Sequence, residues 1–219
     1  MRRVKIRVLI LMILFMHIFV LSGICKEANS NLINDLRIIE EKMSSITTLS
    51  TQFIEEKNLS LFGQKLTIKG YLFLRNPSSF AWHISSPLRQ RIILKDNVVM
   101  QWDEDTNQIQ KINLTSNPSF NIIANQMKRW VSGSYLSLID EYDIEVIQSS
   151  PMKLKFIPFK NSMAFKMIKN IVILFQKNEK YIDTIDILET NGDSTKFHFL
   201  ETLINIKLDP QVWKVKASD

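Results

Sequence analysis

The chain is poor in the residue types from which many catalytic and metal sites are built. Its 219 residues include one cysteine, three histidines and five glycines. A single cysteine excludes a disulfide within the chain and a cysteine-rich zinc site, and five glycines leave little material for phosphate-binding loops. The sequence also lacks a nucleophile elbow, a dinucleotide-binding fingerprint and a Walker loop. These absences count against an enzyme, and we expect no metal and no cofactor.

The side chains that could still act in catalysis are isolated in the sequence. His83 and His198 lie in predicted strands, where alternation turns them away from their apolar neighbours and toward solvent. Glu55 and Glu56 are adjacent, so in a strand they point to opposite faces and cannot act as an acid–base pair. We therefore name no catalytic residue.

Acidic residues are missing from the start of the chain. The net charge is +6, but four basic residues lie within residues 1–7, and Glu27 is the first acidic residue. Without residues 1–25 the chain holds 24 basic and 22 acidic residues, a net charge of +2. Such a weak positive charge argues against a nucleic-acid partner.

A secretory signal peptide is predicted at the N-terminus. The basic residues are followed by an apolar run of 14 residues between Val8 and Leu21. This run is shorter than a membrane-spanning helix of about 20 residues and is typical of a signal peptide. Gly23 and Cys25 are small residues in positions that favour cleavage after Cys25. We therefore expect residues 1–25 to direct a soluble protein to the periplasm. Two alternatives remain open, a lipidated Cys25 and an uncleaved membrane anchor.

The remaining residues, 26–219, are expected to form one mainly β domain of the α+β class. Apolar residues at helical spacing predict a helix from Asn29 to Ser45. Apolar and polar residues then alternate in short segments joined by turns, which is typical of an antiparallel meander. A second helix is predicted over residues 119–131. Further strands follow, the last of them over residues 203–208.

Apolar side chains on one strand face are the positive signal in this sequence. Phe80, Trp82 and Ile84 alternate with other residues, and neighbouring strands add further apolar residues to the same face. A dry core between the sheet and the helices would explain the pattern. Alternatively, the helices cover a curved sheet without filling it and leave an apolar cavity for acyl chains. Each acyl methylene buried there would contribute about 0.8 kcal/mol.

Several segments resemble the LolA family of periplasmic lipoprotein carriers. The most specific is the stretch 70–82, which reads GYLFLRNPSSFAW. The Trp-Asp pair at residues 102–103, the segment 117–124 and the turn 191–195 follow in the order typical of the family. The resemblance covers roughly residues 30–208.

This resemblance implies an unclosed, strongly curved antiparallel β half-barrel covered by a helical lid. It further implies a carrier without enzymatic activity, which shields the acyl chains of lipoproteins and moves them from the inner to the outer membrane. The implied partners are the lipoproteins, an inner-membrane ABC transporter that releases them, and an outer-membrane lipoprotein receptor of the same fold. We expect a monomer and no nucleic-acid partner.

The apolar pattern and the resemblance together predict a cavity and a lid. The residues expected to bind the ligand are Leu36, Ile39, Met43, Phe53, Leu72, Leu74, Phe80, Trp82, Ile84, Met100, Trp102, Phe120, Ile123 and Met127. Asn76 stands where the family commonly has an arginine that holds the lid, and Arg75 is expected on the opposite face. Three other functions stay open: an outer-membrane receptor anchored by a lipidated Cys25, a dedicated lipid-binding relative, and an exported enzyme whose carboxylates are not recognised.

Overall fold

A single large sheet dominates the structure. The computed structural model describes residues 30–76, 79–116, 129–130, 132–162 and 164–216. In this part of the chain the strands are β1 (Thr48–Leu59), β2 (Gln64–Arg75), β3 (Ser79–Ser86), β4 (Gln90–Lys95), β5 (Val98–Asp103), β6 (Ile109–Asn113), β7 (Tyr142–Ser149), β8 (Met152–Pro158), β9 (Ile168–Phe175), β10 (Ile182–Glu189) and β11 (Ser194–Ile204). The helices are α1 (Ser30–Ser44) and α2 (Ala164–Met167), and 3₁₀ turns form at Ser60–Phe62, Leu136–Leu138 and Pro210–Trp213.

The strand pairs of this sheet are antiparallel, and its two ends stay apart. The order is β6-β5-β4-β3-β2-β1-β11-β10-β9-β8-β7. The first six strands form one meander and the last five form another, and pairing of β1 with β11 joins the two in the middle. Strands β6 and β7 form the two edges of the sheet and do not pair with each other. The mostly β fold with an unclosed, curved antiparallel sheet confirms the prediction.

Side chains alternate strictly between two faces along the central strand β1. Phe53 and Glu55 are 1% exposed, whereas Glu56 is exposed. We call the face that carries Phe53 the inner face and the opposite one the outer face. Phe53 packs across Gly70 of β2, where a Cβ atom would lie 2.8 Å from the Phe53 ring and 2.1 Å from the backbone oxygen of His83. Glycine is therefore required for this ring to pack against β2.

Helix α1 covers the inner face of the second meander. Leu36 and Ile39 are fully buried and Met43 is nearly so, in a core cluster with residues of β7 to β10. Glu40 Oε1 accepts a hydrogen bond of 2.8 Å from the backbone N–H of Leu136, which fixes the helix to the turn before β7. The predicted helix is confirmed within one residue at each end.

The chain after β11 crosses the outer face of β2 to β4. Three contacts, one from each strand, hold this tail, residues 205–216: the Arg75 guanidinium 5.0 Å above the Trp213 ring, the His83 imidazole with the Val212 backbone, and Arg91 Nη1 with the Lys214 carbonyl oxygen at 3.1 Å. The predicted strand over residues 203–208 is therefore wrong beyond Ile204. The sheet ends there because Asn205 adopts a left-handed backbone, with φ 57°.

The same tail corrects the expectation that His83 faces solvent. The imidazole lies on the outer face as predicted, but the tail covers it and its Nε2 is buried. Burial, together with the nearby charge of Arg91, lowers the pKa of His83 from 6.5 to about 4. His83 is therefore a neutral structural contact between β3 and the tail.

Candidate functional site: an apolar cavity on the inner face

An apolar cavity lies where three core clusters meet. The first cluster joins α1 to β7–β10, the second lies mainly on β1–β5, and the third contains Ile46, Leu49 and Leu74. The cavity has a volume of about 130 Å³. The three clusters therefore leave a gap at their junction.

The few polar side chains of the cavity wall are largely satisfied by the protein itself. Thr51 Oγ1 lies 2.7 Å from Thr202 Oγ1 and donates to the backbone oxygen of Leu200 at 3.0 Å, at a bulge in β11. Asn76 Nδ2 donates to the backbone oxygen of Ile46 at 2.6 Å. Since these groups point their hydrogen bonds into the protein, the wall offers a ligand mainly hydrocarbon surface.

Two aromatic rings of this wall, Trp82 and Phe197, pack together with Phe53, and we call the three rings the aromatic floor. The Trp82 ring centroid is 4.7 Å from that of Phe53 and 5.8 Å from that of Phe197, which meets it edge-on. Trp82 and Phe197 line the cavity, and Phe53 supports them from the sheet. Trp82 Nε1 is buried and makes no hydrogen bond to any residue that the structure describes.

Buried charged groups lie next to the aromatic floor along β1. Glu55 follows Phe53 by two residues on the inner face, and burial raises its pKa from 4.5 to about 7 although Lys57 acts in the opposite direction. Lys57 Nζ is 3.8 Å from Glu189 Oε1. Burial also raises the pKa of Glu189. Two carboxyl groups thus share one ammonium group, and Glu55 Oε2 finds no hydrogen-bond donor within the described ranges.

Comparison with known proteins identifies the chain. The model of the family "Outer membrane lipoprotein carrier protein LolA" matches residues 44–216. The chain belongs to the LolA family. A relative from Francisella philomiragia, an outer-membrane lipoprotein carrier protein, is 22% identical over 179 residues, which cover 81% of this chain and 73% of the relative.

Two solved structures show the same fold. A chain of the Pseudomonas aeruginosa MucA/MucB complex superposes with a TM-score of 0.53 at 12% identity and covers 85% of this chain. A crystal structure of MucB also gives 0.53 at 12% identity and covers 87% of this chain. The matches span 62% and 64% of those two chains, less than two thirds of either.

In the part of the chain that the structure describes, no three side chains of the His, Cys, Asp and Glu types come together as a metal site. Nor is any of the described helices both long enough and apolar enough to cross a membrane.

Twelve of the fourteen site residues predicted from the LolA resemblance fall into three groups. Those that line the cavity are Met43, Leu72, Leu74 and Trp82. Those that lie in the core clusters around it are Leu36, Ile39, Phe53, Phe80 and Ile84. Phe120, Ile123, Met127 and most of the predicted helix 119–131 lie outside the described residues. Their roles in binding stay predictions.

Met100 and Trp102 are on the wrong face for the predicted LolA-type cavity. The turn between β4 and β5 has two residues, so Leu94 pairs with Val99 and Ile93 with Met100. Paired residues of antiparallel strands share a face. Val99 therefore joins Leu94 in the inner core, whereas Met100 and Trp102 lie on the outer face.

Sequence reasoning missed the half of the wall that the second meander supplies. The missed lining residues of its strands are Ile171, Ile182, Ile185, Ile187, Phe197 and Phe199. The signal was present, because Ile185 and Ile187, and likewise Phe197 and Phe199, alternate with polar residues. Only their pairing through β1 and β11 brings them opposite Leu72 and Trp82.

Arg75 lies on the outer face, as expected from its position one residue before Asn76, whereas Asn76 lines the cavity. Arg75 points to the outer face and stacks on Trp213 in the tail. Asn76 lies in the cavity wall, and its backbone N–H and side chain hold the backbone oxygens of Thr47 and Ile46. Asn76 therefore fixes the segment that connects α1 to β1.

Proposed function

We propose that the protein is a periplasmic carrier that shields the acyl chains of lipoproteins and moves them from the inner to the outer membrane. The observation that carries this proposal is an apolar cavity at the centre of a LolA-family fold. Burial of acyl methylenes, at about 0.8 kcal/mol each, would retain a chain there without covalent chemistry. The description of the Francisella philomiragia relative as a lipoprotein carrier supports the same cargo.

The cavity would widen on its helical side. Its sheet side is cross-linked by strand hydrogen bonds from β1, β2 and β9–β11. Met43 and Trp130, in contrast, enter the wall from outside the sheet. The flexible thioether of Met43 repacks at low cost, so displacement of this side would admit a long acyl chain.

The partners follow from the same proposal. Lipoproteins would be received from an inner-membrane ABC transporter and delivered to an outer-membrane receptor. Residues 1–25 would serve as the signal peptide, and residues 26–219 as a single carrier domain that works as a monomer.

A photoreactive amino acid at Leu72 tests the carrier proposal. Leu72 faces the cavity, so it is expected to crosslink to an acylated lipoprotein when the protein is incubated with inner membranes that release one. Tyr71 is the matched control, because it is the adjacent residue and is 43% exposed on the outer face. Equal labelling at both positions, or none at either, would contradict the carrier proposal.

A receptor of the same fold is the second candidate, because the only cysteine, Cys25, lies four residues after the end of the apolar N-terminal run. Mass spectrometry of the mature protein separates the two. A start at Lys26 supports the soluble carrier, whereas an acylated Cys25 supports the receptor.

A further inference from the structure

An exposed leucine lies at the tip of the hairpin formed by β1 and β2. The two strands have 12 residues each and are joined by the 3₁₀ turn Ser60–Phe62. Leu61 in this turn is 85% exposed, more than any other large apolar side chain that the structure describes. A Cβ atom added at Gly63 would meet no described atom within 4 Å other than those of its chain neighbours. The tip therefore projects into solvent, where the leucine contributes little to the stability of the fold.

The tip is held in place by the turn between β10 and β11. Asp193 Oδ1 accepts hydrogen bonds of 2.8 Å from both the backbone N–H and the hydroxyl group of Ser60. The same turn is bound to α2, because Thr190 donates from its backbone N–H to the Met167 carbonyl oxygen and from its hydroxyl group to the Lys166 carbonyl oxygen, both at 2.9 Å. The β1–β2 tip, the β10–β11 turn and α2 thus form one continuous end of the sheet.

Apolar side chains and lysines are mixed at this end of the sheet. We call it the hairpin-tip surface and define it by six exposed side chains: Leu61, Leu66, Phe165, Lys65, Lys166 and Lys169. None of the three lysines forms an ion pair with a residue in the described ranges. Asp193 is the one acidic residue within residues 60–66, 164–169 and 190–193. Its carboxylate is engaged by Ser60, whose hydrogen bonds lower the pKa of Asp193.

The chemistry of the hairpin-tip surface fits a lipid bilayer. Projecting apolar side chains can enter the boundary between headgroups and acyl chains, while neighbouring lysines meet anionic headgroups. The excess of unpaired positive charge complements an anionic surface. We propose that the hairpin-tip surface docks the protein onto an anionic lipid bilayer, with Leu61 inserted at the level of the acyl chains and the lysines at the headgroups. This inference goes beyond the carrier function and does not depend on it.

Docking at the hairpin tip leaves the cavity free. Leu49, Leu74 and Asn76 of the cavity wall lie at the opposite ends of β1 and β2 from Leu61. At about 3.3 Å per residue, the ten residues of β1 that follow Leu49 separate this part of the wall from the tip by roughly 30 Å. Membrane docking and ligand binding can therefore be measured independently.

Co-sedimentation of the mature protein with lipid vesicles tests the proposal. Vesicles of phosphatidylcholine alone are compared with vesicles that contain equal parts of phosphatidylcholine and phosphatidylglycerol. We expect at least a roughly ten-fold stronger partition onto the anionic vesicles, which falls as salt is added. Leu61→Ser should weaken this partition roughly ten-fold, and Lys65→Gln roughly three- to five-fold.

Two matched controls come from the rest of the chain. Leu203 is 55% exposed and pairs with Ser50 near the start of β1, far from the tip, so Leu203→Ser removes an exposed leucine elsewhere. Lys207 is exposed in the tail, so Lys207→Gln removes the same charge as Lys65→Gln. Both controls should bind anionic vesicles as the wild type does. All four side chains are exposed, so the urea midpoints of the variants should match that of the wild type.

Three results would overturn the docking proposal. The first is equal partition of the wild type onto both kinds of vesicle. The second is a loss in Leu203→Ser as large as that in Leu61→Ser. The third is binding only to native inner membranes, abolished when these are treated with protease, which would assign the surface to a membrane protein. Uptake of a hydrophobic fluorophore by the cavity should be unchanged in Leu61→Ser. Failure of docking with fluorophore uptake intact leaves the carrier proposal standing, whereas absent uptake in the wild type counts against the carrier alone.

Discussion

Replacement of Glu55 by glutamine is expected to remove a pH-dependent loss of stability. The pKa of the buried carboxyl is about 7 in the folded protein and 4.5 without burial. The folded state therefore holds a proton that the unfolded state has lost between these two values, and stability falls as pH rises through this window. The full effect corresponds to 2.5 pKa units, or about 3 kcal/mol.

The direction of the pKa shift determines how the free energy of unfolding changes with pH. Below pH 4.5 the carboxyl is neutral in both states and costs nothing in charge burial. Above pH 7 the folded protein carries the buried carboxylate and the whole cost is present. Relative to Glu55→Gln, the wild type should therefore lose about 3 kcal/mol between pH 4 and pH 8. Contributions from His83 and Glu189 are present in both proteins and cancel to first order in the difference.

Urea denaturation at several pH values provides the assay, since the free energy of unfolding extrapolates linearly to water. Glu56→Gln serves as the control, because it removes the same charge at the exposed neighbouring position. The reasoning is refuted if the difference between wild type and Glu55→Gln is constant from pH 4 to pH 8. It is also refuted if Glu56→Gln gives the same pH dependence as Glu55→Gln.

Three further predictions concern the framework around the cavity. Gly70→Ala should lower the free energy of unfolding by about 2–3 kcal/mol in urea titrations, because the added Cβ would lie 2.1 Å from a backbone oxygen; unchanged stability would contradict the close approach. Asn205→Ala should lower the free energy of unfolding by about 2 kcal/mol, because Asn205 has a left-handed backbone and its Oδ1 accepts hydrogen bonds from the Thr47 backbone N–H at 2.8 Å and from Thr47 Oγ1 at 3.1 Å. Asn205→Gly should recover only the share of this loss that comes from the left-handed backbone. Trp213→Ala should raise the His83 pKa from about 4 toward 6.5 in an NMR titration, because the tail that buries the imidazole loosens; an unshifted pKa would show that the tail does not cover it.

The fold could be predicted from the sequence because its patterns are local. Alternation of apolar and polar residues indicated most of the strands, and helical spacing located α1 within one residue at each end. The adjacent carboxylates Glu55 and Glu56 were correctly expected on opposite faces. Each of these inferences needs only the period of a strand or a helix.

The errors arose where a single residue of register decides the outcome. Placing Met100 and Trp102 on the inner face requires a β4–β5 turn of three residues; the turn has two, which shifts the pairing by one residue and places Val99 there instead of Met100. The two residues of the turn, Asp96 and Asn97, both have positive φ, which is the sequence signal of a two-residue hairpin. The tail was misread for a related reason, because Asn205 looks like any polar residue of a strand until its left-handed backbone is known.

The position of the cavity could not be predicted because it depends on contacts between distant parts of the chain. Leu72 and Phe197 line the same space although 124 residues separate them in the sequence. No local pattern reports that pairing. The sequence contains the apolar residues of both walls, but the β1–β11 pairing decides which of them face each other.

That central pairing also has a consequence for how the protein forms. Each meander contains only contacts between neighbours in the sequence, so both are expected to assemble quickly and independently. The β1–β11 pair closes a loop of about 150 residues and requires the last strand of the chain, so it is expected to form late and to limit the folding rate. Until that step, the apolar walls of both meanders are exposed and prone to aggregation. The binding cavity is thus created by the final event of folding, and a chain that ends before β11 would have two half-walls and nowhere to hold a lipid.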